Sequence, residues 1–393
     1  MRAAGTSLGS TTGTLFPRPP AARPRPARPA SRSAKAAAAA LLASASLLLS
    51  ACQSPSAVRE LHSFQDSTFG TYYVVKVIRQ EGDGIDLDTE QTLALIEREL
   101  AEVDRLMSTY RDDSEIARFN SWLETAPFPA SPATLQVIRE AIALGELSGG
   151  ALDVTVNPLV EAWGFGPKDA LPEPPAAEVL EELLARVGIE HLEVDDSVGA
   201  LRKKMPRLTC DLSSLAKGYA VDRVLLTLVE SGLTDVLVEI GGEVRTAGVN
   251  LEGQPWRLGI ERPAGARGEV QRVVELGNEA LATSGDYRDY REIDGRRISH
   301  LIDPRSGQPV THQLASVSVL DSSCMRADAL ATALMVLGED EGFELAEREG
   351  IPALFLVREG TDFVERPSPA FAARFFEDAD AALQSSDLAS LSP

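Results

Sequence analysis

The stretch "DLSSLAKGYAVDRVLLTLVESGLTDVLVEIGGEVRTAG", residues 211–248, decides the fold class of this chain. Its apolar residues recur at helical spacing and predict a helix over residues 214–231, which ends at Gly232. A β-rich run over residues 235–240 follows and leads into Gly241-Gly242, a pair that suits a tight turn. This order indicates a protein that combines helices with turn-linked strands.

The same patterns extend in both directions from this stretch. Further helices are predicted over residues 89–107 after an Asp88 cap, and over 131–150, 176–187, 327–337 and 339–349. Further strands are predicted over residues 71–78, 256–261, 270–276, 315–320 and 353–357. Because helices and strands do not alternate strictly, the pattern predicts an α+β fold rather than a doubly wound sheet.

The beginning of the chain has a different composition from the rest. Residues 1–35 are basic and rich in Pro and Ala, which predicts disorder. Residues 36–51 form an apolar run that is too short for a spanning helix and ends in Leu-Ser-Ala before Cys52. This ending resembles a bacterial lipobox and implies cleavage before Cys52 and lipidation of its thiol. A secretory signal without lipidation is the alternative.

The remaining chain is predicted to hold one folded domain. Residues 52–62 would be the lipidated cysteine and a short tether, and residues 63–365 the domain. Residues 366–393 are acidic and rich in small residues, which predicts a flexible tail.

Charge and cysteine content restrict the possible partners. The full chain has a formal charge of −21, and residues 1–51 hold seven of its 38 basic residues and none of its 59 acids. The chain from Cys52 onward therefore has a charge of −28, which disfavours nucleic acid and leaves a lipid as the only membrane link. Cys210 and Cys324 do not make a disulfide framework; one bridge is possible, but two separate buried thiols are favoured.

Several short stretches have more polar residues and glycine than a plain core would. They cover residues 149–167, 210–222, 239–248, 282–290, 299–310 and 326–338. Each has a simple structural explanation: Asp211 and Asp328 could be helix N-caps, Lys217 a solvated helix residue and His300 a residue that holds a turn. None of them matches a P-loop, a dinucleotide fingerprint, a zinc site or a nucleophile elbow.

Taken together, these residues indicate chemistry on phosphates. Asp328 and Thr332 are four residues apart and share a helix face, which suits Mg²⁺ with few protein ligands. Lys217 and the paired glycines suit a pyrophosphate. His300, isolated in the sequence, suits a proton acceptor. The set predicts phosphoryl or nucleotidyl transfer.

At this point the chain resembles the ApbE family, the FAD:protein FMN transferases, over residues 64–360. The resemblance is carried by ordered motifs: "FGTYYVVKV", "MSTYRDDSEIARFN", "ALDVTVNPLVEAWGFGP", "DLSSLAKGYAVD", "IGGEVRTAG", "ATSGDYRDY", "SHLIDPRSGQPV" and "ADALATALMVLG". It implies a single two-lobed α+β domain over residues 63–365 with mixed or antiparallel sheets and FAD in a cleft between the lobes.

The resemblance also implies a reaction and a location. Such enzymes bind FAD with Mg²⁺ and transfer FMN to a Thr or Ser hydroxyl, in an acceptor flavoprotein whose motif ends Ser-Gly-Ala-Thr/Ser. AMP leaves and a phosphodiester remains. Typical acceptors are subunits of membrane redox pumps. The location implied is the periplasmic side of the inner membrane, although Gln53 after the cysteine leaves the outer membrane open.

Site residues follow from the motif positions that match. The FAD-contacting positions are Phe69, Tyr110, Ala151, Leu152, Asp153, Asp211, Lys217 and Ile302. The Mg²⁺ ligands would be the Ser214 carbonyl, Asp328 and Thr332, and His300 would be the base. Two positions depart from some members, because Ala331 replaces a second Asp and Glu243 replaces an Asp after the glycine pair.

Two other functions stay open on the same residues. One is an FAD pyrophosphatase that releases FMN and AMP with water as the acceptor. The other is a periplasmic flavin-binding protein without chemistry, which the presence of Lys217, His300, Asp328 and Thr332 argues against.

Overall fold

The computed structural model of the chain describes residues 58–165, 174–263, 268–286, 290–293 and 296–376. The predicted leader, the apolar run and Cys52 lie outside these residues, as do residues 377–393. Within the described part, no helix combines the length and the apolar character that crossing a membrane requires.

Eight α-helices lie in the described residues. They are α1 Thr89–Met107, α2 Glu115–Ser121, α3 Pro132–Leu147, α4 Asn157–Ala162, α5 Ala177–Leu184, α6 Ser213–Glu230, α7 Cys324–Arg348 and α8 Pro369–Phe375. A short 3-10 turn, Ile189–His191, lies between α5 and α6. The capping predicted for α1 is confirmed, because the Asp88 carboxylate accepts from the Gln91 N–H at 2.7 Å.

Seventeen strands complete the described part. They are β1 Arg59–Thr68, β2 Thr71–Gln80, β3 Phe128–Pro129, β4 Leu192–Asp195, β5 Ala200–Lys203, β6 Val236–Ile240, β7 Glu243–Ala247, β8 Trp256–Glu261, β9 Val270–Leu276, β10 Ala280–Gly285, β11 Tyr290–Ile293, β12 Arg296–Ser299, β13 Ile302–Asp303, β14 Gln308–Pro309, β15 Leu314–Asp321, β16 Ala353–Glu359 and β17 Asp362–Pro367.

The main sheet has eight strands in the order β1-β2-β6-β7-β10-β15-β16-β17. Every strand pairing in the described residues is antiparallel. Helices α6 and α7 pack on this sheet and on each other, and α1 packs on α6. The α+β prediction is confirmed, and the sheets are antiparallel rather than mixed.

Close contact between α6 and α7 depends on one glycine. A Cβ atom on Gly218 would lie 2.3 Å from the Cys324 carbonyl oxygen and 2.7 Å from the Met325 Cα, which are impossible distances. The Asp222 carboxylate, one helical turn later, accepts hydrogen bonds from the Cys324 N–H at 2.8 Å and the Met325 N–H at 3.1 Å. A side chain of α6 therefore caps the N-terminus of α7 and fixes how the two helices meet.

Helix α7 contains a break where the sequence predicted two helices. Gly338 has φ 83° and ψ −172°, so the helix kinks at this residue. The His312 Nε2–H donates to the Met335 carbonyl at 2.8 Å, which supplies a partner to a carbonyl near the kink.

Two predicted boundaries are wrong. Strand β1 begins at Arg59, so residues 59–62 pair with β2 and are not tether. The predicted tail also begins too early, because β17 runs to Pro367 and α8 follows with Phe371 fully buried. The acidic composition of residues 366–393 concealed a local helix start, in which Ser368 caps the Phe371 N–H and Pro369 follows.

Both cysteines in the described part, Cys210 and Cys324, are free and buried. The preference for two separate thiols is confirmed. Burial raises the pKa of both thiols, so both are inert thiols inside the core rather than nucleophiles.

Candidate active site

Lys217 lies one turn into α6 and contacts two carboxylates from other elements. Its Nζ is 2.6 Å from Glu243 Oε1 and 3.6 Å from Asp328 Oδ1. Burial lowers the pKa of Lys217, but the charges of Asp328 and Glu243 outweigh burial and leave the pKa raised. The lysine is therefore a permanent cation within a cluster of net charge −1 when both carboxylates are ionised.

The turn between β6 and β7 delivers Glu243 to this cluster. Gly241 and Gly242 have φ of 65° and 111°, which suits a two-residue hairpin turn between the paired residues Ile240 and Glu243. Glu243 is only 4% exposed, and its Oε2 has no hydrogen-bond partner among the described residues. The paired glycines are thus a tight turn, and that turn brings a buried acid to Lys217.

Asp328 is not a helix cap. The N-cap of α7 is Ser323, whose hydroxyl accepts from the Arg326 N–H at 3.3 Å, while Asp328 is the fifth residue of the helix. Its Oδ2 accepts from the Gly218 N–H at 3.1 Å, and the residue is 2% exposed. Burial raises the pKa of Asp328 above its usual range, although Lys217 opposes the shift.

Thr332 lies on the next turn of the same face of α7. Its hydroxyl donates to the Asp328 carbonyl at 3.1 Å and lies 3.2 Å from the Ser284 hydroxyl of β10. No residue of the stretch "ATSGDYRDY" was predicted to belong to the site. The structure places Ser284 of this stretch beside Thr332, a predicted metal ligand.

The start of α6 lies against the stretch before α4. The Asp211 N–H donates to the Val154 carbonyl at 2.7 Å, and the Asp211 carboxylate accepts from the Ser213 N–H at 2.9 Å. The N-cap residue itself is Leu212, without a side-chain cap. Asp211 thus stabilises the local turn into the helix, and Ser214, the predicted carbonyl ligand, follows in the first helical turn.

Asp153 has a structural role in its loop. Its carboxylate accepts from the Thr155 N–H at 2.7 Å, the Thr155 hydroxyl at 2.6 Å and the Ile189 N–H at 2.9 Å. Burial raises its pKa. Ala151 and Leu152 are buried beside it. These three side chains therefore stabilise the fold through hydrogen bonds and packing. Contact of this stretch with FAD stays a prediction.

Phe69 and Tyr110 differ in exposure. Phe69 is the only non-glycine residue in the described part with positive φ, at 49°, in the turn between β1 and β2, and it packs partly against the main core. Such strain at a bulky residue is often found at functional sites. Tyr110 is 82% exposed after α1.

The segment around His300 is tied to the distant Trp163 loop. Trp163 Nε1 donates to the Gly307 carbonyl at 2.9 Å, and the rings of Phe165 and His300 meet edge to face with centroids 6.4 Å apart. Ile302 is buried in the same small apolar cluster as Trp163. The structure thus joins two predicted motifs that lie more than 130 residues apart in the sequence. The nucleotide contact of Ile302 and the role of His300 as a base stay predictions.

Comparison with known proteins gives the family. The model of the ApbE family matches residues 69–355. The chain belongs to the ApbE family. A relative from Vibrio cholerae, named FAD:protein FMN transferase, is 47% identical over 326 residues, which cover 82% of this chain and 95% of the relative. A relative of the same name from Haemophilus influenzae is 42% identical, over an alignment that covers 82% of this chain and 93% of the relative.

Solved ApbE structures have the same fold. The flavin transferase ApbE from Vibrio cholerae superposes with a TM-score of 0.74 at 45% identity, covering 81% of this chain and all of the other. The apo form of the Pseudomonas stutzeri flavinyl transferase ApbE gives a TM-score of 0.74 at 42% identity, covering 81% and 97%. The single-domain α+β fold is therefore that of ApbE proteins.

The structure brings part of the predicted ApbE site together and adds residues that the sequence analysis missed. Lys217 Nζ of α6 lies 3.6 Å from Asp328 Oδ1 of α7. The positions of Glu243 beside Lys217, Ser284 beside Thr332 and Asp222 at the start of α7 were not predicted. The contact of Asp222 had no local signal, because its partners lie at the start of another helix.

Proposed function

We propose that this ApbE-family chain is an FAD:protein FMN transferase, an enzyme that moves FMN from FAD to a protein acceptor. Relatives at 47% and 42% identity have this name. The observation in the structure that supports it is the contact of Lys217 with Asp328 where α6 meets α7. A partly buried cation beside a buried carboxylate suits a bound diphosphate and its counter-ion.

Magnesium is part of the proposal, because the residues present fit it. Asp328 and Thr332 offer a carboxylate and a hydroxyl on one helix face, and the Ser214 carbonyl would be the third protein ligand. The cluster has an excess negative charge when both carboxylates are ionised, and Glu243 Oε2 has no hydrogen-bond partner in the part of the chain that the structure describes. Ala331 cannot contribute, so the phosphates of FAD would complete the shell. The metal would offset negative charge on the diphosphate.

The remaining residues act on the transfer itself. His300 takes the proton from a Thr or Ser hydroxyl of the acceptor, whose oxygen forms a bond to the phosphorus on the FMN side of FAD. The bond from that phosphorus to the bridging oxygen breaks, and AMP leaves with this oxygen. The product is a phosphodiester. Lys217 stabilises charge on the diphosphate during the exchange.

The partners and the location are proposed from the sequence. The acceptor is a flavoprotein with a Ser-Gly-Ala-Thr/Ser motif, and nucleic acid is not a partner. Lipidated Cys52 would hold the enzyme on the periplasmic side of the inner membrane, or at the outer membrane because of Gln53. Two measurements on the parent and on Cys52→Ser test the anchor and the location. Labelling of cells with a fatty acid tests lipidation of Cys52, and membrane fractionation tests the location. Label in Cys52→Ser would contradict the anchor.

Mass spectrometry of an acceptor tests the activity. An acceptor domain incubated with this protein, FAD and Mg²⁺ should gain the mass of one FMN on the motif hydroxyl, with AMP released in equal amount. Free FMN and AMP with or without acceptor, and no mass gain, would instead identify an FAD pyrophosphatase. FAD bound but never consumed would identify a flavin carrier.

A further inference from the structure

Glu243 is the residue of the cluster for which neither the sequence nor the family comparison gives a role. It begins β7 directly after the Gly241-Gly242 turn and is buried. One carboxylate oxygen contacts Lys217, and the other has no hydrogen-bond partner among the described residues. Burying a charge with an unpartnered oxygen is costly, so the position indicates a function.

The contacts of Lys217 with its two acids are unequal. The 2.6 Å distance from Nζ to Glu243 Oε1 is a charge-assisted hydrogen bond, whereas 3.6 Å to Asp328 Oδ1 is too long for one. Oδ2 of Asp328 accepts from the Gly218 N–H. The ammonium is therefore held by Glu243, and Oδ1 of Asp328 lies in the cluster without a hydrogen bond to Lys217.

The backbone determines which face of the sheet receives this acid. Ile240 and Glu243 are opposite each other across the hairpin, so their side chains share one face. Glu239, one residue before Ile240, points to the other face, where its carboxylate accepts from the Tyr72 hydroxyl at 2.9 Å. The hairpin thus carries two acids, and only one of them reaches Lys217.

We propose that Glu243 is a positioning residue that holds the Lys217 ammonium against β7 and so keeps Asp328 Oδ1 open for a divalent cation. This inference rests on the Mg²⁺ site of the proposed function. Without the charge of Glu243, the nearest acid to Lys217 is Asp328. A direct ion pair between them would compete with the cation for the same oxygen.

The proposal is tested by the affinity of the full chain for Mn²⁺, with FAD saturating and no acceptor protein present. Electron paramagnetic resonance measures the bound and free Mn²⁺. Glu243→Gln should weaken Mn²⁺ binding roughly tenfold, as is typical when a residue that supports a metal ligand is lost. In the Lys217→Met background, the same Glu243→Gln change should alter the affinity less than about twofold, because no ammonium remains to be held.

The cycle separates positioning from simple charge. An equal loss of Mn²⁺ affinity in both backgrounds would show that Glu243 attracts the cation directly, and no loss in either would show that it is irrelevant; both results overturn the proposal. Glu239→Gln is the matched control, since it removes the same charge from the opposite face and should bind Mn²⁺ like the parent.

Further variants protect the test from a folding failure and from a wrong metal site. Glu243→Asp retains the charge on a shorter side chain and should lower the Mn²⁺ affinity a few-fold, less than Glu243→Gln. This variant keeps the proposal testable if Glu243→Gln does not fold. Asp328→Asn should abolish Mn²⁺ binding in every background. If the parent binds no Mn²⁺, the proposed Mg²⁺ site and this inference both fail. If the parent binds Mn²⁺ and the Glu243 variants bind it with the same affinity, this inference fails while the proposed Mg²⁺ site stands.

Discussion

The side chain of Lys217 is the main cation of the proposed FAD site. Lys217→Ala should weaken FAD binding about tenfold or more, because a charge-assisted hydrogen bond to the diphosphate contributes about 1.5–3 kcal/mol. Titration of FAD by fluorescence measures the change. Lys204→Ala is a suitable control, since Lys204 pairs with Glu193 away from the cluster. Equal FAD affinity of Lys217→Ala and parent would contradict the assignment.

His300 should matter for the rate rather than for binding. His300→Asn should slow FMN transfer by about 10²–10⁴-fold with FAD affinity near that of the parent, which is the usual loss when a general base is removed. Single-turnover transfer to an acceptor domain measures the rate. His191→Asn in the 3-10 turn controls for loss of an imidazole elsewhere. A transfer rate of His300→Asn within a few-fold of the parent would leave His300 a role only in the turn.

Lys203 should make the free energy of unfolding depend on pH. Burial lowers its pKa from 10.5 to about 8, while its Nζ donates to the carbonyls of Asn120 at 3.2 Å and Trp122 at 2.8 Å. The unfolded chain keeps this proton up to its ordinary pKa of about 10.4. Between these values the unfolded state binds more protons, so stability rises with pH by at most ~1.4 kcal/mol per unit.

Urea unfolding at pH 7 and at pH 9.5 measures this contribution. The parent should gain stability relative to Lys203→Met, in which the titrating group is missing and all other groups remain. The same pH dependence in both proteins would show that Lys203 keeps its ordinary pKa in the fold.

At the scale of single residues, the sequence indicated neighbours within one helix better than neighbours on different elements. Asp328 and Thr332 could be paired because four residues of helix separate them. Glu243 could not be placed beside Lys217, because they lie on different elements 26 positions apart and no periodicity links a helix to a later hairpin. Lys217 and His300 were indicated by residue type and motif, and the remaining FAD and metal positions came from the resemblance to ApbE proteins alone.

The pair α6–α7 is the element on which the site depends. Gly218→Ala puts a Cβ where the Cys324 carbonyl lies, so the helices must separate. We expect a loss of about 1–3 kcal/mol in the free energy of unfolding, together with weaker Mg²⁺ binding, since Asp328 loses the Gly218 N–H. Gly277→Ala is the matched control, because a Cβ there meets nothing within 4 Å. Equal stability of the two variants would contradict the packing argument.

Helices were easier to predict than their ends. Strong signals such as Asp88 at α1 and Ser131-Pro132 at α3 gave starts within one residue. The same Ser-Pro signal at Ser368-Pro369 was hidden by the composition of the residues after it. The capping of α7 by Asp222 involves two elements about 100 residues apart, so it is tertiary information that local patterns do not contain.

For the whole molecule, metal and substrate binding should be coupled. With one carboxylate from Asp328 and none from Ala331, Mg²⁺ should bind weakly to the empty protein and more tightly with FAD, and FAD affinity should rise by the same factor with Mg²⁺. Calorimetric titration in both orders measures this reciprocity. Asp328→Ala should remove it together with most of the activity. Tight Mg²⁺ binding without FAD, or Mg²⁺-dependent transfer by Asp328→Ala, would place the metal elsewhere.

The strand order of the main sheet was beyond the sequence analysis. The class followed from the mixture of elements, but the neighbours of β10, which are β7 and β15, result from packing of the whole domain. The hydrophobic pattern of a strand indicates which face is buried and not which strand lies beside it. The two-lobed cleft therefore stays a prediction from the resemblance.

The hydrogen bond from the Gly218 N–H to Asp328 also has a kinetic meaning. It joins residues 110 positions apart, and the chain must close that long loop before the bond can form. The helices themselves can form early from local contacts, whereas the cluster is complete only when the last long-range pairing is made. Refolding chains should regain helical signal before they regain FAD binding, and until then they resemble the enzyme in shape without its affinity.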